Sequence, residues 1–336
     1  MNGYHNEKRA CARLSIISNS ALIVLKLAAG FFTGSVAIVG EAVHSFLDLL
    51  ASLLAWGAVR VSDAPADYDH PFGHGKTENL AALFESMLII VGGLYISYHS
   101  VLGLIEGRVL LSLKSGILVM LVSSLVNFFI SEKLFKIGRA TNSPALEADG
   151  WHLRTDVYTS CGILGALVVI ETGHFLNPMI NLSFIDSFCA LGVSILILRA
   201  GWSLGWRAVG ALVDHSLSPL EIKLIEDHIQ AMTPMVIGFR RLRTRRSGPF
   251  RIILVDLLVD GRLSVSQAHE LGVKVVSGVI EHFPEAKVTF HLEPVDIEKL
   301  KIFNRDKQKS SINKTCSHQE NPLILQPSTD NSKKEK

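Results

Sequence analysis

Charge is scarce in this sequence: Asp, Glu, Lys and Arg make up 19% of its 336 residues, against about 25% in a typical soluble domain. Cysteine is scarcer still. Cys11, Cys161, Cys189 and Cys316 stand alone without C-x-x-C spacing, which excludes a disulfide framework and a thiolate metal cluster. A formal net charge of +2 leaves no basic footprint for nucleic acid and no pull toward a broadly anionic partner. With 48% of the residues hydrophobic, the chain reads as a membrane protein in which any buried ionisable group needs a reason.

A helical span needs roughly 20 mostly apolar residues. Six stretches qualify, at about 14–33, 36–60, 79–104, 112–135, 148–171 and 182–205. The first is too long for a cleaved signal peptide, carries Lys26, and runs through FFTGS almost directly into the second. Lys8, Arg9, Arg13, Arg60, Lys76, Lys133, Lys136, Arg139 and Arg207 fall on one side of these spans; only Arg108 and Lys114 fall on the other. The positive-inside rule therefore places both termini in the cytoplasm, and the short loops favour a bacterial inner membrane.

Two of the spans hold the same spacing. GEAVHSFLDLLAS carries His44 and Asp48, and ADGWHLRTDVYTS carries His152 and Asp156. Residues four apart share a helix face, and ionisable groups inside a bilayer are costly enough to mark function. Each pair alone is explained by a satisfied core histidine and a capping aspartate. Two pairs in the same order, both in apolar segments, instead predict one site of two imidazoles and two carboxylates, a set suited to a tetrahedral divalent metal, Zn²⁺ first. Asp and His also accept Fe²⁺, Cd²⁺, Co²⁺ and Mn²⁺. Lys26, Glu85 and Arg199 lie within spans as well; Arg199 is placed to snorkel, and Lys26 and Glu85 have no role that the spacing assigns.

The loop between spans two and three reads DAPADYDHPFGHGKTENLAAL. Asp67, His70 and His74 form a D-x-x-H-x-x-x-H pattern that can hold a metal with a fourth position for water, with Asp69 as a substitute ligand. The plain alternative is a solvated loop shaped by Pro71 and Gly73. GHGKT ends like a phosphate-binding loop, but its first required glycine falls at His70 and no strand precedes it. Nucleotide binding is excluded.

After Arg207 the pattern becomes that of a soluble α+β domain. Ser218 and Pro219 start a helix with Glu221 at its third position; RIILVDLLVD reads as a strand, SVSQAHELGVKVVSGVIEHF as an amphipathic helix ended by Pro284, and KVTFHLE as a last strand. Asp256 on one strand, His269 on the helix, and His291 and Glu293 alternating on the last strand are candidates for a further metal site. The domains run 1–12 (cytoplasmic N-terminus), 13–206 (six-helix membrane bundle), 207–300 (cytoplasmic domain) and 301–336, a polar lysine-rich tail expected to be disordered.

The motifs together resemble the cation diffusion facilitator family of divalent-metal transporters: H-S-F-L-D in span two, the HPFGHGK loop, ADGWHLRTD in span five, and LRTRRSGP and SQAH beyond the membrane. The resemblance covers residues 10–296. It implies a six-span bundle, a ferredoxin-like cytoplasmic domain, a homodimer, and export of Zn²⁺ or a similar metal in exchange for protons. On it, His44, Asp48, His152 and Asp156 correspond to the transport site, and Asp67, His70 and His74 to the loop site. Where zinc-transporting bacterial relatives have histidines, this chain has Arg240 and Asp256. That favours a single cytoplasmic metal on Asp256, His269, His291 and Glu293 over a binuclear site, and this harder set resembles iron-handling relatives, keeping Fe²⁺ as the second cargo. Two rivals use the same residues. A metal-gated channel or membrane sensor needs no proton gradient, and an intramembrane metallohydrolase needs an H-E-x-x-H that the lone His269–Glu270 does not supply.

Overall fold

The computed structural model describes residues 2–33, 36–106, 117–176 and 183–296. The tail over 301–336 and the loop with Arg108 and Lys114 lie outside these residues. The chain divides into two compact units that change over between Val213 and Asp214, with Ser247–Pro249 grouped with the first.

The first unit consists of six long helices: α1 (Asn2–Thr33), α2 (Val36–Ser62), α3 (Lys76–Glu106), α4 (Ile117–Ala140), α5 (Pro144–Leu176) and α6 (Ser183–Leu212). Four stretches within them, Asn6–Ala29, Lys76–Ile105, Ile117–Ala140 and Ser187–Leu212, are long and apolar enough to cross a membrane. Helices α2 and α5 carry the His and Asp pairs, and part of each lies outside the described side chains. The surface is inverted relative to a soluble protein. Val91, Leu94, Tyr95, Leu118, Trp202 and Trp206 are exposed, while Lys8, Asn19, Asp48, Glu78, Glu85 and Asp149 are buried. An apolar exterior of this kind suits lipid.

Local chemistry sets the joints. Asn142, with a left-handed φ of 50°, closes α4, and the Ser143 N–H donates to the Gly138 carbonyl at 2.8 Å. Pro144 then opens α5 at a position where its missing N–H costs nothing. Helices α3 and α6 approach closely because Gly201 and Gly205 face Ile89, Ile90 and Ser86, the small-residue contact that replaces hydrophobic driving force inside a membrane.

The second unit contains α7 (Pro219–Ala231), β1 (Gly238–Ser247), β2 (Phe250–Asp260), α8 (Val265–His282) and β3 (Ala286–Val295). Its sheet order is β1-β2-β3, with β2 and β3 parallel from Arg251 opposite Ala286 to Asp260 opposite Val295. Helix α8 makes the crossover that parallel pairing requires. Ile253, Val255 and Leu257 of β2 meet Ile225, Ile229, Val275 and Val279 of the helices, and Val288, Phe290 and Leu292 of β3 pack on that core. A full ferredoxin-like unit runs β-α-β-β-α-β; the described residues form the α-β-β-α-β part, with three strands.

Helix α7 opens with a capping box in which Ser218 Oγ accepts from Glu221 N–H and the Glu221 carboxylate accepts from Ser218 N–H. The same carboxylate takes Arg246 at 2.6 Å and Arg251 at 2.9 Å. Partial burial pushes the Glu221 carboxyl up, but the Ser218 hydroxyl and the Arg246 charge outweigh it and hold it below its ordinary 4.5. A depressed acid stabilises the fold above its unfolded value and loses that contribution as pH falls through its folded value. Protection of α7 amides from hydrogen exchange is therefore expected to weaken below pH 4.5, and Glu221→Gln should flatten that dependence. Ser218→Ala should cost about 1 kcal/mol of local stability at neutral pH, read from the same exchange rates.

Candidate metal centres

The first centre lies inside the helical unit. Asp48 sits one helical turn after His44 on α2, and Asp156 one turn after His152 on α5. The ligand atoms of Asp48, His152 and Asp156 all lie within 4.8 Å of one another, and His152 Nε2 is 3.1 Å from Asp48 Oδ1. The His44 side chain lies outside the described residues. One imidazole and two carboxylates thus converge from two helices, and the carboxylates can balance a divalent charge.

A polar shell on α1, α2 and α5 holds this arrangement. Ser52, one turn beyond Asp48, donates its hydroxyl to Asp149 Oδ1 at 2.9 Å. Asn19 Nδ2 donates to Ser52 Oγ at 2.8 Å and to the Asp48 carbonyl at 3.4 Å, and Ser15 Oγ shares a hydrogen bond with Ser52 Oγ at 2.9 Å. Such outer contacts fix the orientation of the groups they support. The spacing argument missed Asp149, which lies three residues before His152; the signal was a second aspartate in ADGWHLRTD. Lys26 donates to Ser45 Oγ at 2.8 Å, and Glu85 is fully buried.

Composition also gave no sign that Lys8 would be buried. It lies 2.6 Å from Glu78 and 3.1 Å from Asp63, and Arg9 lies 2.9 Å from Asp63. Ser143, just before α5, donates to the other Glu78 oxygen. This ionic cluster ties α1, the end of α2, α3 and the start of α5.

The second centre is the loop between α2 and α3. His70 N–H donates to Asp67 Oδ1 at 2.7 Å, His70 Nδ1 is 3.1 Å from the same oxygen, and His74 Nε2 is 3.2 Å from Asp67 Oδ2. The two rings lie 4.4 Å apart, and all three residues meet within ligand reach. Gly73, at φ 84°, supplies the reversal that brings His74 back toward Asp67. The His70 backbone N–H holds the Asp67 carboxyl below the usual carboxylate range, so it stays ionised through mildly acidic conditions.

The structure divides the third expected set between the two sides of the cytoplasmic sheet. Asp256 pairs with His291, and Leu258 with Glu293, across β2 and β3, so Asp256, His291 and Glu293 share one face of the sheet. His269 lies on the opposite side, on α8, with its ring 5.8 Å from Phe290 on the core face. Strand alternation separates residues 290 and 291, and the sheet stands between the two sets. Both carboxylates are also already engaged: Asp256 by Arg241, and Glu293 by Arg240 with Arg241 at 3.8 Å. Arg241 has a left-handed φ of 50°, which breaks the alternation of β1 and lets both guanidiniums reach this face.

The loop geometry predicts that Asp67→Asn lowers Zn²⁺ affinity there by at least about tenfold, by analogy with the loss on removing metal-site partners. Because metal ligands must be deprotonated to bind, Zn²⁺ binding at the loop in the native chain should weaken on acidification. Calorimetric titration of the native chain and of Asp67→Asn with Zn²⁺, at neutral and at acidic pH, checks both expectations.

Residues 12–213 match the cation efflux transmembrane domain, and residues 217–295 match the cation efflux protein cytoplasmic domain. An uncharacterized transporter of Synechocystis sp., sll1263, is 33% identical over 290 residues, covering 86% of this chain and 91% of that protein. The cation-efflux pump FieF of Salmonella choleraesuis is 34% identical over 292 residues, covering 86% and 94%. Among solved structures, the metal-bound C-terminal domain of the CzcD transporter from Thermotoga maritima is 35% identical over 23% of this chain and 94% of that one, with a TM-score of 0.21. With the transmembrane match spanning more than half of the sequence and relatives aligned over most of its length, the chain belongs to the cation efflux, or cation diffusion facilitator, family: it is an integral membrane metal-cation transporter and not an enzyme.

Proposed function

We propose that this transporter exports a divalent cation from the cytoplasm in exchange for protons, with Zn²⁺ as the first cargo and Fe²⁺ the second; Cd²⁺, Co²⁺ and Mn²⁺ fit the same donors. The observation that carries this reading is the convergence of Asp48, His152 and Asp156 from α2 and α5 inside an apolar helix bundle. His44, one turn before Asp48, completes the four-ligand site. All six helices α1–α6 span the membrane in this reading, with both termini in the cytoplasm of a bacterial inner-membrane protein.

Metal ligands must be deprotonated to bind, so cargo entry expels protons. A site that opens inward to take metal and outward to take protons back is emptied by the proton gradient. Asp67, His70 and His74 hold a second metal in the loop, outside the membrane. The matched cytoplasmic domain, residues 217–295, joins two copies into a homodimer.

Uptake into inside-out proteoliposomes with an imposed pH gradient tests the reading. Flux of Zn²⁺ or Fe²⁺ should be saturable, require the gradient, and fall to the level of empty liposomes in Asp48→Ala. Ohmic current in the native chain with no gradient requirement would overturn exchange in favour of a metal-gated channel.

A further inference from the structure

Two histidines of the cytoplasmic unit belong to none of the ligand sets described so far. His228 stands in the last turn of α7, and His282 closes α8. Their rings lie 5.8 Å apart, centre to centre, and are tilted by 51°. Two imidazoles that each bind one ion at about 2.0–2.1 Å have ring centres about 5–6 Å apart, so the observed separation already fits a shared metal. The pair is distinct from the sheet-face set. His269 lies near the other end of α8, about 20 Å away at the rise of an α-helix.

A glycine lets the two rings meet. A Cβ at Gly278 would fall 2.1 Å from both Cε1 and Nε2 of His228, so only a residue without a side chain allows this ring to rest on α8. His282 follows Gly278 by one turn on the same face, and its Nδ1 is 2.9 Å from the Gly278 carbonyl oxygen. A carbonyl only accepts, so Nδ1 carries the proton and Nε2 keeps its lone pair. Metal-binding imidazoles are oriented in this way. His228 Nε2 is buried and has no hydrogen-bond partner among the described residues; that costs free energy, and a metal–nitrogen bond relieves it. The surroundings favour a cation. Both residues occupy C-terminal turns, where helix carbonyls carry partial negative charge. Asp227 and Glu281, each next in the chain to one of the pair, are exposed acids, against the single charge of Lys274 two turns before His282.

We propose that His228 and His282 form a two-imidazole site for a divalent transition-metal cation, Zn²⁺ first, which ties the C-terminal ends of α7 and α8 together. Imidazole suits Zn²⁺, Cu²⁺ and Ni²⁺ and leaves Mg²⁺ and Ca²⁺ to oxygen ligands; water completes the coordination. Each helix supplies one ligand, so the ion clamps the two against each other. The cytoplasmic unit thereby stiffens as metal rises. This site goes beyond the exchange reading and does not rest on it, since neither a proton gradient nor the membrane ligands take part.

The test uses the full-length protein in detergent and reads hydrogen exchange peptide by peptide, which separates this site from zinc bound elsewhere. At a Zn²⁺ concentration about ten times the dissociation constant, openings that break the site become about tenfold rarer. Amides in the last turns of α7 and α8 should then exchange about tenfold more slowly, and Mg²⁺ at the same concentration should leave them unchanged. His282→Ala and His228→Gln should each remove the zinc effect at both helix ends. Native exchange of β2 in the metal-free variants shows that the domain is folded; where His228→Gln disturbs β2, His282→Ala, at an exposed position, decides alone. No slowing in the native chain, an equal effect of Mg²⁺, or a zinc effect that survives the loss of one histidine overturns the two-helix site.

Discussion

An ionised side chain surrounded by apolar helices must be matched or neutralised, and the whole helical unit is arranged around that requirement. Placing an Asp, Lys or Arg at the centre of a membrane helix costs about 2.5–3.5 kcal/mol on insertion scales. The six helices nonetheless bury Lys8, Lys26, Asp48, Glu78, Glu85 and Asp149. Each solution differs. Lys8 is placed between two carboxylates, Lys26 rests on a serine hydroxyl, Asp149 is held by Ser52, and Asp48 faces His152. The close packing of α1, α2 and α5 follows from these bonds, because Ser15, Asn19 and Ser52 reach their partners only where the backbones come close.

How much of this was visible in the residues depends on periodicity. Helix spacing repeats within one element, so the pairs four apart on α2 and α5 identified themselves, and so did the loop histidines, only four residues apart. Contacts between helices carry no such local mark. Asp149, Ser52, Asn19 and Lys8 act through residues between 29 and 97 positions away, and nothing in their immediate surroundings announces it.

The sheet domain shows the same limit in another form. Strand β2 was legible because its branched residues run together, and its pairing with β3 follows from the helix between them. Strand β1 was not legible as a strand in its own right, since Arg240, Arg241, Arg243, Arg245 and Arg246 bury the apolar alternation that would identify it. The expected cytoplasmic ligand set is divided for a related reason: helix α8 lies on one side of the sheet, and residue parity alone could not say on which side of it Asp256 points.

The two candidate centres that do assemble differ in setting, with one enclosed among helices and the other held in an open loop by Asp67. The arginine-sealed face of the cytoplasmic sheet differs from both. Arg240 and Arg241 already neutralise Asp256 and Glu293, so this surface is electrically closed. A cation arriving there must evict two guanidiniums instead of filling a vacancy. Occupancy of that face is thus an ion exchange, governed by competition with the protein's own cations and by the salt that loosens them.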